Sequence, residues 1–152
     1  MRKMKMTNYM PIFVLAVMML WAKTYISQKT QFTLEVEGGL QEFLLLINPL
    51  GSALLLLSLS LFFKGMRKYW ALLSIYLGMS ILLYANIVYY RFFSDFITLP
   101  TLFQTQNFGD LGGSVLTLIQ PLDILFFADV LLLGTLILSK RMEKDMRTIK
   151  KR

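Results

Sequence analysis

The sequence contains no cysteine and no histidine among its 152 residues. Disulfides, thiolate and imidazole metal ligands, cysteine nucleophiles and histidine general bases are thereby excluded together. Charge is scarce as well: 16% of residues are charged against 56% hydrophobic, and the mean hydropathy is +0.58. A soluble domain of this length normally carries more charge and less apolar surface. No glycine loop of the kind that cradles phosphate is present, because the GGS at 112–114 lacks both a preceding strand and a lysine. No acids are spaced for a metal, and Asp95 and Asp110 read as solvated loop charges. The net charge of +7 does not describe a nucleic-acid surface, since the basic residues fall in three short clusters between apolar runs.

What is present is apolar sequence of membrane length. Residues 6–22 carry no charge, and the run continues past Lys23 to about residue 27. Residues 43–63 and 69–90 are also uncharged. At 1.5 Å per residue, about 20 helical residues cross a hydrocarbon core of roughly 30 Å. The basic start (Arg2, Lys3, Lys5) suits a secretory signal, but AKTYISQ at 22–28 lacks a small-x-small cleavage pattern, which favours an uncleaved anchor. A fourth segment, 121–139, opens with Pro121 and Asp123 and is interrupted by Asp129. The expected fold is all-α, a polytopic bundle of four transmembrane helices over about 8–27, 43–63, 69–90 and 121–139. Asn48-Pro49-x-Gly51 is expected to kink the second.

Basic residues orient the bundle. Of 16, three lie at the N-terminus, three in KGMRK (64–68) and seven in the tail 140–152. The positive-inside rule places these three stretches in the cytoplasm, with both termini inside. Residues 91–120 then lie outside. They hold Pro100, Gly109, Gly112 and Gly113 yet stay rich in Phe, Leu and Ile, as an interfacial or re-entrant hairpin would. Tyr89, Tyr90, Phe92, Phe93 and Phe96 form its expected aromatic belt, and Arg91 and Asp95, four apart, share a face if helical.

Polar residues interrupt the spans: Asn48, Asn86 and Asp129 at comparable depth, and Lys23 slightly shallower if its helix ends near Ser27. An unpaired charge in hydrocarbon costs at least about 2.5–3.5 kcal/mol, so Asp129 is expected to face protein or water. The expectation is an intramembrane polar cluster of all four in the outer half of the bundle. Interhelical packing by the asparagines and outward snorkelling by Lys23 are the plainer readings of the same residues.

The run LLYANIVYYRFFSDFITLPTLFQTQNFGDLGGS (82–114), with INPL (47–50) and FFKGMRKYW (62–70) before it, resembles the membrane domain of lipoteichoic acid synthases. The likeness extends through AKTYISQ and QPLDILFFAD (120–129), covering essentially the whole chain. The resemblance implies a Gram-positive plasma membrane and five membrane helices ahead of a large extracellular domain related to sulfatases. That domain transfers glycerol phosphate from phosphatidylglycerol to a polymer on a glycolipid anchor, with a threonine nucleophile and a manganese ion. Here the sequence ends in SKRMEKDMRTIKKR (139–152) after the fourth expected span, so a fragment, a truncated gene product or a separately encoded membrane part is expected, with no catalytic residue and no cofactor of its own.

The leading expectation is a membrane-anchoring module, inactive alone, that positions an extracellular catalytic domain (in cis or in trans) near phosphatidylglycerol. Arg91, Asp95 and Tyr90 are the candidate lipid or phosphate contacts, since a planar guanidinium fork suits phosphate. The alternatives are a small lipid transporter or flippase-like bundle built on Lys23 and Asp129, or an accessory protein binding a partner through its helices. Oligomerisation is open, and nucleic acid is not an expected partner.

Overall fold

Pro11, in the first turn, opens the helix α1 (Met10–Thr30) in the computed structural model, which describes residues 9–32, 38–96, 98 and 119–149. The ring pre-sets the helical backbone angle where its missing N–H costs nothing. Helix α1 passes straight through Lys23 and Lys29 and ends at Gln31, whose N–H bonds to the Ser27 carbonyl. Gly38, at φ 127°, turns the chain into α2 (Gly39–Ser58), which tightens into a 3-10 turn over Leu59–Phe62. Pro49 lies buried within α2 without ending it.

A short turn containing Gly65 at φ 65°, a left-handed angle suited to glycine, reverses the chain into α3 (Arg67–Phe93). So short a connection makes α2 and α3 antiparallel neighbours. Helix α3 stops where Ser94 adopts a left-handed conformation. The fourth segment starts as a 3-10 helix, Pro121–Phe127, and becomes α4 (Ala128–Ile149). Gln120 and Asp123 close a capping box at its entry, each side chain accepting from the other's backbone.

Every described element is helical. Among the described residues three helices, Met10–Thr30, Gly39–Phe62 and Arg67–Phe93, are long and apolar enough to cross a membrane. Against the expected 8–27, 43–63 and 69–90, the first runs on at its end, the second begins earlier and the third extends at both ends, because helices continue through flanking Lys, Arg and Glu side chains whose charged ends reach toward water.

Helix α1 is the hub, packing against α2, α3 and α4. Its Ile12, Phe13, Ala16, Val17 and Leu20 are buried against Ala53 and Leu57 of α2, Leu72 and Tyr76 of α3, and Leu133 and Ile137 of α4. Ala16, fully buried, lets neighbouring backbones approach closely. The other helices share α1 as their partner. Leu55, Phe62, Ile81 and Leu131 point outward. In water so much exposed apolar surface would drive association, whereas in a bilayer it is the solvated face.

Candidate functional site

A polar seam runs between α1, α3 and the fourth segment. On α3, Tyr76, Ser80, Tyr84 and Arg91 follow one another at intervals of four, four and seven residues, which places them on one stripe. On α1, Lys23, Ser27 and Gln31 repeat every four. The fourth segment contributes Asp123 and Asp129 between the two stripes.

The deep end of the seam is an ion pair. Lys23 Nζ lies 2.6 Å from Asp129 Oδ1 and donates a second bond to Ser80 Oγ at 3.1 Å. Tyr76 donates its hydroxyl to Asp129 Oδ2, and the Val130 N–H donates to Oδ1. The ammonium also stands 4.5 Å from the ring centre of Phe126 and 5.4 Å from that of Tyr76. The two side chains are only 10% and 19% exposed. Both carboxylate oxygens are satisfied, the condition under which a buried pair repays its desolvation. Three separate chain segments meet here, so the network ties α1, α3 and α4 together.

The shallow end is a second pair. Arg91 Nη1 donates to Asp123 Oδ2 at 2.8 Å and Nη2 to Oδ1 at 3.0 Å, a bidentate fork. Nη2 also reaches Gln31 Oε1 of α1 at 3.2 Å, and Tyr84 donates its hydroxyl to Asp123 Oδ2 at 2.9 Å. From Asp123 to Asp129 the chain rises about 2 Å per residue to Phe127 and about 1.5 Å per residue beyond it, roughly 11 Å between the two layers. Beside the shallow pair opens a cavity of about 310 Å³ walled by Ile26, Ser27, Tyr84, Ile87 and Phe126, with Arg91 and Asp123 at its polar side.

The structure thus brings Lys23 and Asp129 together, and sets Tyr76 and Ser80 around them. It does not place Asn48 or Asn86 in that network of bonds. Asn48 is exposed on α2, with its carbonyl accepting from Ser52, and the Asn86 amide donates to the Leu82 carbonyl one turn back. The expected helical pairing of Arg91 with Asp95 is corrected: α3 ends at Phe93, the left-handed Ser94 swings the next residue off the helix, and Asp95 accepts from the Phe96 N–H. The Arg91 fork is held by Asp123. Tyr90 packs edge-on against Phe32 at 4.9 Å and beside Phe96 at 5.3 Å, while Phe92 and Phe93 are exposed. Most of the expected 91–120 hairpin, residues 97 and 99–118, lies outside the described residues.

Sequence reasoning missed Tyr76, Ser80, Tyr84, Gln31 and the role of Asp123. The signal was available in the four-residue rhythm of polar side chains along α1 and α3. Among the described residues no three His, Cys, Asp or Glu side chains gather to hold a metal ion.

Comparison with known proteins assigns the chain to a family. The family model described as the lipoteichoic acid synthase N-terminal domain matches residues 1–152. Lipoteichoic acid synthase 1 of Bacillus subtilis (strain 168) is 44% identical over 130 residues, which is 85% of this chain and 20% of that protein. Lipoteichoic acid synthase 2 of the same strain is 43% identical over 141 residues, 92% of this chain and 21% of that protein. Lipoteichoic acid synthase of Staphylococcus aureus (strain USA300) is 36% identical over 148 residues, 97% of this chain and 23% of that protein. The chain therefore spans about a fifth of the length of these relatives. No solved structure matches it. With a family match over its whole length and three membrane-length helices, the chain is a multi-pass plasma-membrane protein that belongs to the lipoteichoic acid synthase N-terminal domain family.

Proposed function

We propose that this chain is the membrane-anchoring domain of a lipoteichoic acid synthase-like phosphoglycerol transferase. In this reading 121–139 is a fourth span, and residues 64–68 and 140–152 face the cytoplasm. The seam's shallow end then faces the outer leaflet. There the domain holds an extracellular catalytic domain, in cis or in trans, within reach of phosphatidylglycerol. The observation that carries the proposal is the Arg91–Asp123 fork, closed by Tyr84 and Gln31, which locks the start of the fourth segment onto α1 and α3. A rigid outer end is what an anchor needs if it is to set the height and orientation of a domain above the bilayer.

Arg91 is the proposed headgroup contact, with Tyr90 next to it in α3 and Asp95 just past the helix end as further candidates. Because both carboxylate oxygens of Asp123 occupy its fork, a lipid phosphate would bind there by exchange with Asp123. The cavity beside the pair also supports a second reading, a small lipid transporter, which a lipid-scrambling assay in liposomes separates from the first.

The anchoring proposal is tested by joining this chain to the fifth membrane helix and extracellular catalytic domain of a synthase relative, in cells lacking their own enzyme. Polymer output should fall several-fold when the chain is exchanged for an unrelated four-span bundle at equal expression. Equal output from both would show that any anchor suffices and remove the positioning role.

A further inference from the structure

At the end of the bundle opposite the Arg91–Asp123 pair, the starts of α1 and α3 meet the end of α2. Ser60 is fully buried, and its hydroxyl hydrogen goes to the Leu57 carbonyl. Tyr9 is therefore the donor in its own 2.5 Å bond to Ser60 Oγ. That bond holds the Tyr9 ring edge-on to Tyr69, with centroids 5.1 Å apart. The ammonium of Lys68 stands 4.2 Å from the centre of the Tyr9 ring and 5.5 Å from that of Tyr69. A lysine is ordinarily a mobile surface cation, and here two fixed rings give it a defined position.

Three further features converge on the same place. Lys64, Arg67 and Lys68 lie within five residues, and the sequence has no acid between Glu42 and Asp95. Among the described residues no carboxylate pairs with any of the three. The first turn of α3 has no side-chain cap and no acidic residue; the Tyr69 and Trp70 N–H groups bond back to the Met66 carbonyl, which leaves those of Arg67 and Lys68, with the positive end of the helix dipole, at the cations themselves. Beside them Phe62 is 83% exposed, and Phe63 and Trp70 are exposed as well, which puts the site at a membrane surface. Charge alone would serve as an orientation signal. It would not require an ammonium seated on two rings and an uncapped helix start.

We propose that this end of the bundle binds the phosphate of an anionic membrane lipid, with Lys68 as the positioned cation and the first turn of α3 supplying backbone N–H donors. Lys64 and Arg67, both exposed, add attraction without geometry. A cation already ordered gives up little side-chain freedom on binding, so Lys68 should contribute more than its exposed neighbours. The proposal is independent of the synthase reading.

The test is native mass spectrometry of the full chain released from detergent, loaded with phosphatidylglycerol, phosphatidic acid or zwitterionic phosphatidylcholine. Both anionic lipids should be retained over phosphatidylcholine. Lys68→Gln should cut their retention about fivefold, and Lys64→Gln, an equal charge loss, less than about twofold. Lys68→Arg should restore retention. Lys68→Met, which keeps the stem, repeats the measurement if circular dichroism shows that Gln disturbs the fold. Equal losses at 64 and 68, or equal retention of all three lipids, would overturn the site. Displacement of the lipid by excess inorganic phosphate would overturn its assignment to lipid.

Discussion

Lys23 and Lys29 stand six residues apart on α1, and each is closed on a carboxylate, at 2.6 Å to Asp129 and 2.8 Å to Glu42. The distances barely differ; the surroundings do. The side chains of the inner pair are 10% and 19% exposed, those of the rim pair 38% and 60%. The inner pair draws in Ser80, Tyr76 and the Phe126 ring, whereas the rim pair is a lone contact between helix ends facing solvent. A contact of one length thus has two energetic meanings. Inside the bundle each partner's charge is tolerable only because the other is present. At the rim water can replace either partner.

The comparison breaks most sharply at Asp129. Asp129→Ala leaves the Lys23 cation without its carboxylate and should destabilise the domain by about 3–5 kcal/mol, read as a fall in Tm in detergent micelles. Next comes the shallow pair: Arg91→Ala removes a bidentate fork and strands Asp123, with an expected loss of about 1.5–3 kcal/mol. The same variant in a full-length synthase should lower polymer output, and normal output at normal expression would rule out a required phosphate contact at Arg91.

The double variant Lys23→Leu with Asp129→Leu should regain most of the stability lost by Asp129→Ala, because it leaves no unpaired charge in the bilayer. If the double variant melts as low as the single one, the bonds to Tyr76 and Ser80 matter more than charge balance. The smallest effect belongs to Glu42→Gln. Its Tm should stay within error of the parent, and raising the salt concentration should leave both proteins alike. A drop comparable to that of Asp129→Ala would erase the distinction between rim and interior.

The spans themselves were legible because a bilayer demands about 20 apolar residues in unbroken helix, a constraint written locally in 43–63 and 69–90. The Lys23–Asp129 encounter was legible for a related reason, since two opposite charges within hydrocarbon have few affordable states apart from pairing. The expectation rested on depth alone, and the bearing of each side chain around its helix was not used. Asn48 and Asn86 share the expected depth, yet Asn48 faces outward from α2 and Asn86 bonds to its own helix. Tyr76 and Ser80 carry no charge and left no mark in a scan for interrupted hydrophobicity. Arg91 was assigned to Asp95 by spacing, which presumes that the helix continues; a left-handed Ser94 ends it two residues after Arg91.

By itself the sequence determined that this is a helical membrane protein, which family it resembles, and which residues could not lie unpaired in lipid. These follow from composition and local periodicity, which the bilayer filters without regard to partners. Only the tertiary structure decided that Arg91 joins Asp123 across 32 residues and that Tyr76 and Ser80 complete the Lys23–Asp129 pair. It also set Lys68 over the ring of Tyr9. Such choices depend on how α1, α3 and the fourth segment rotate against one another, and that rotation is set by packing around Ala16, Leu72 and Leu133, residues far apart in the chain.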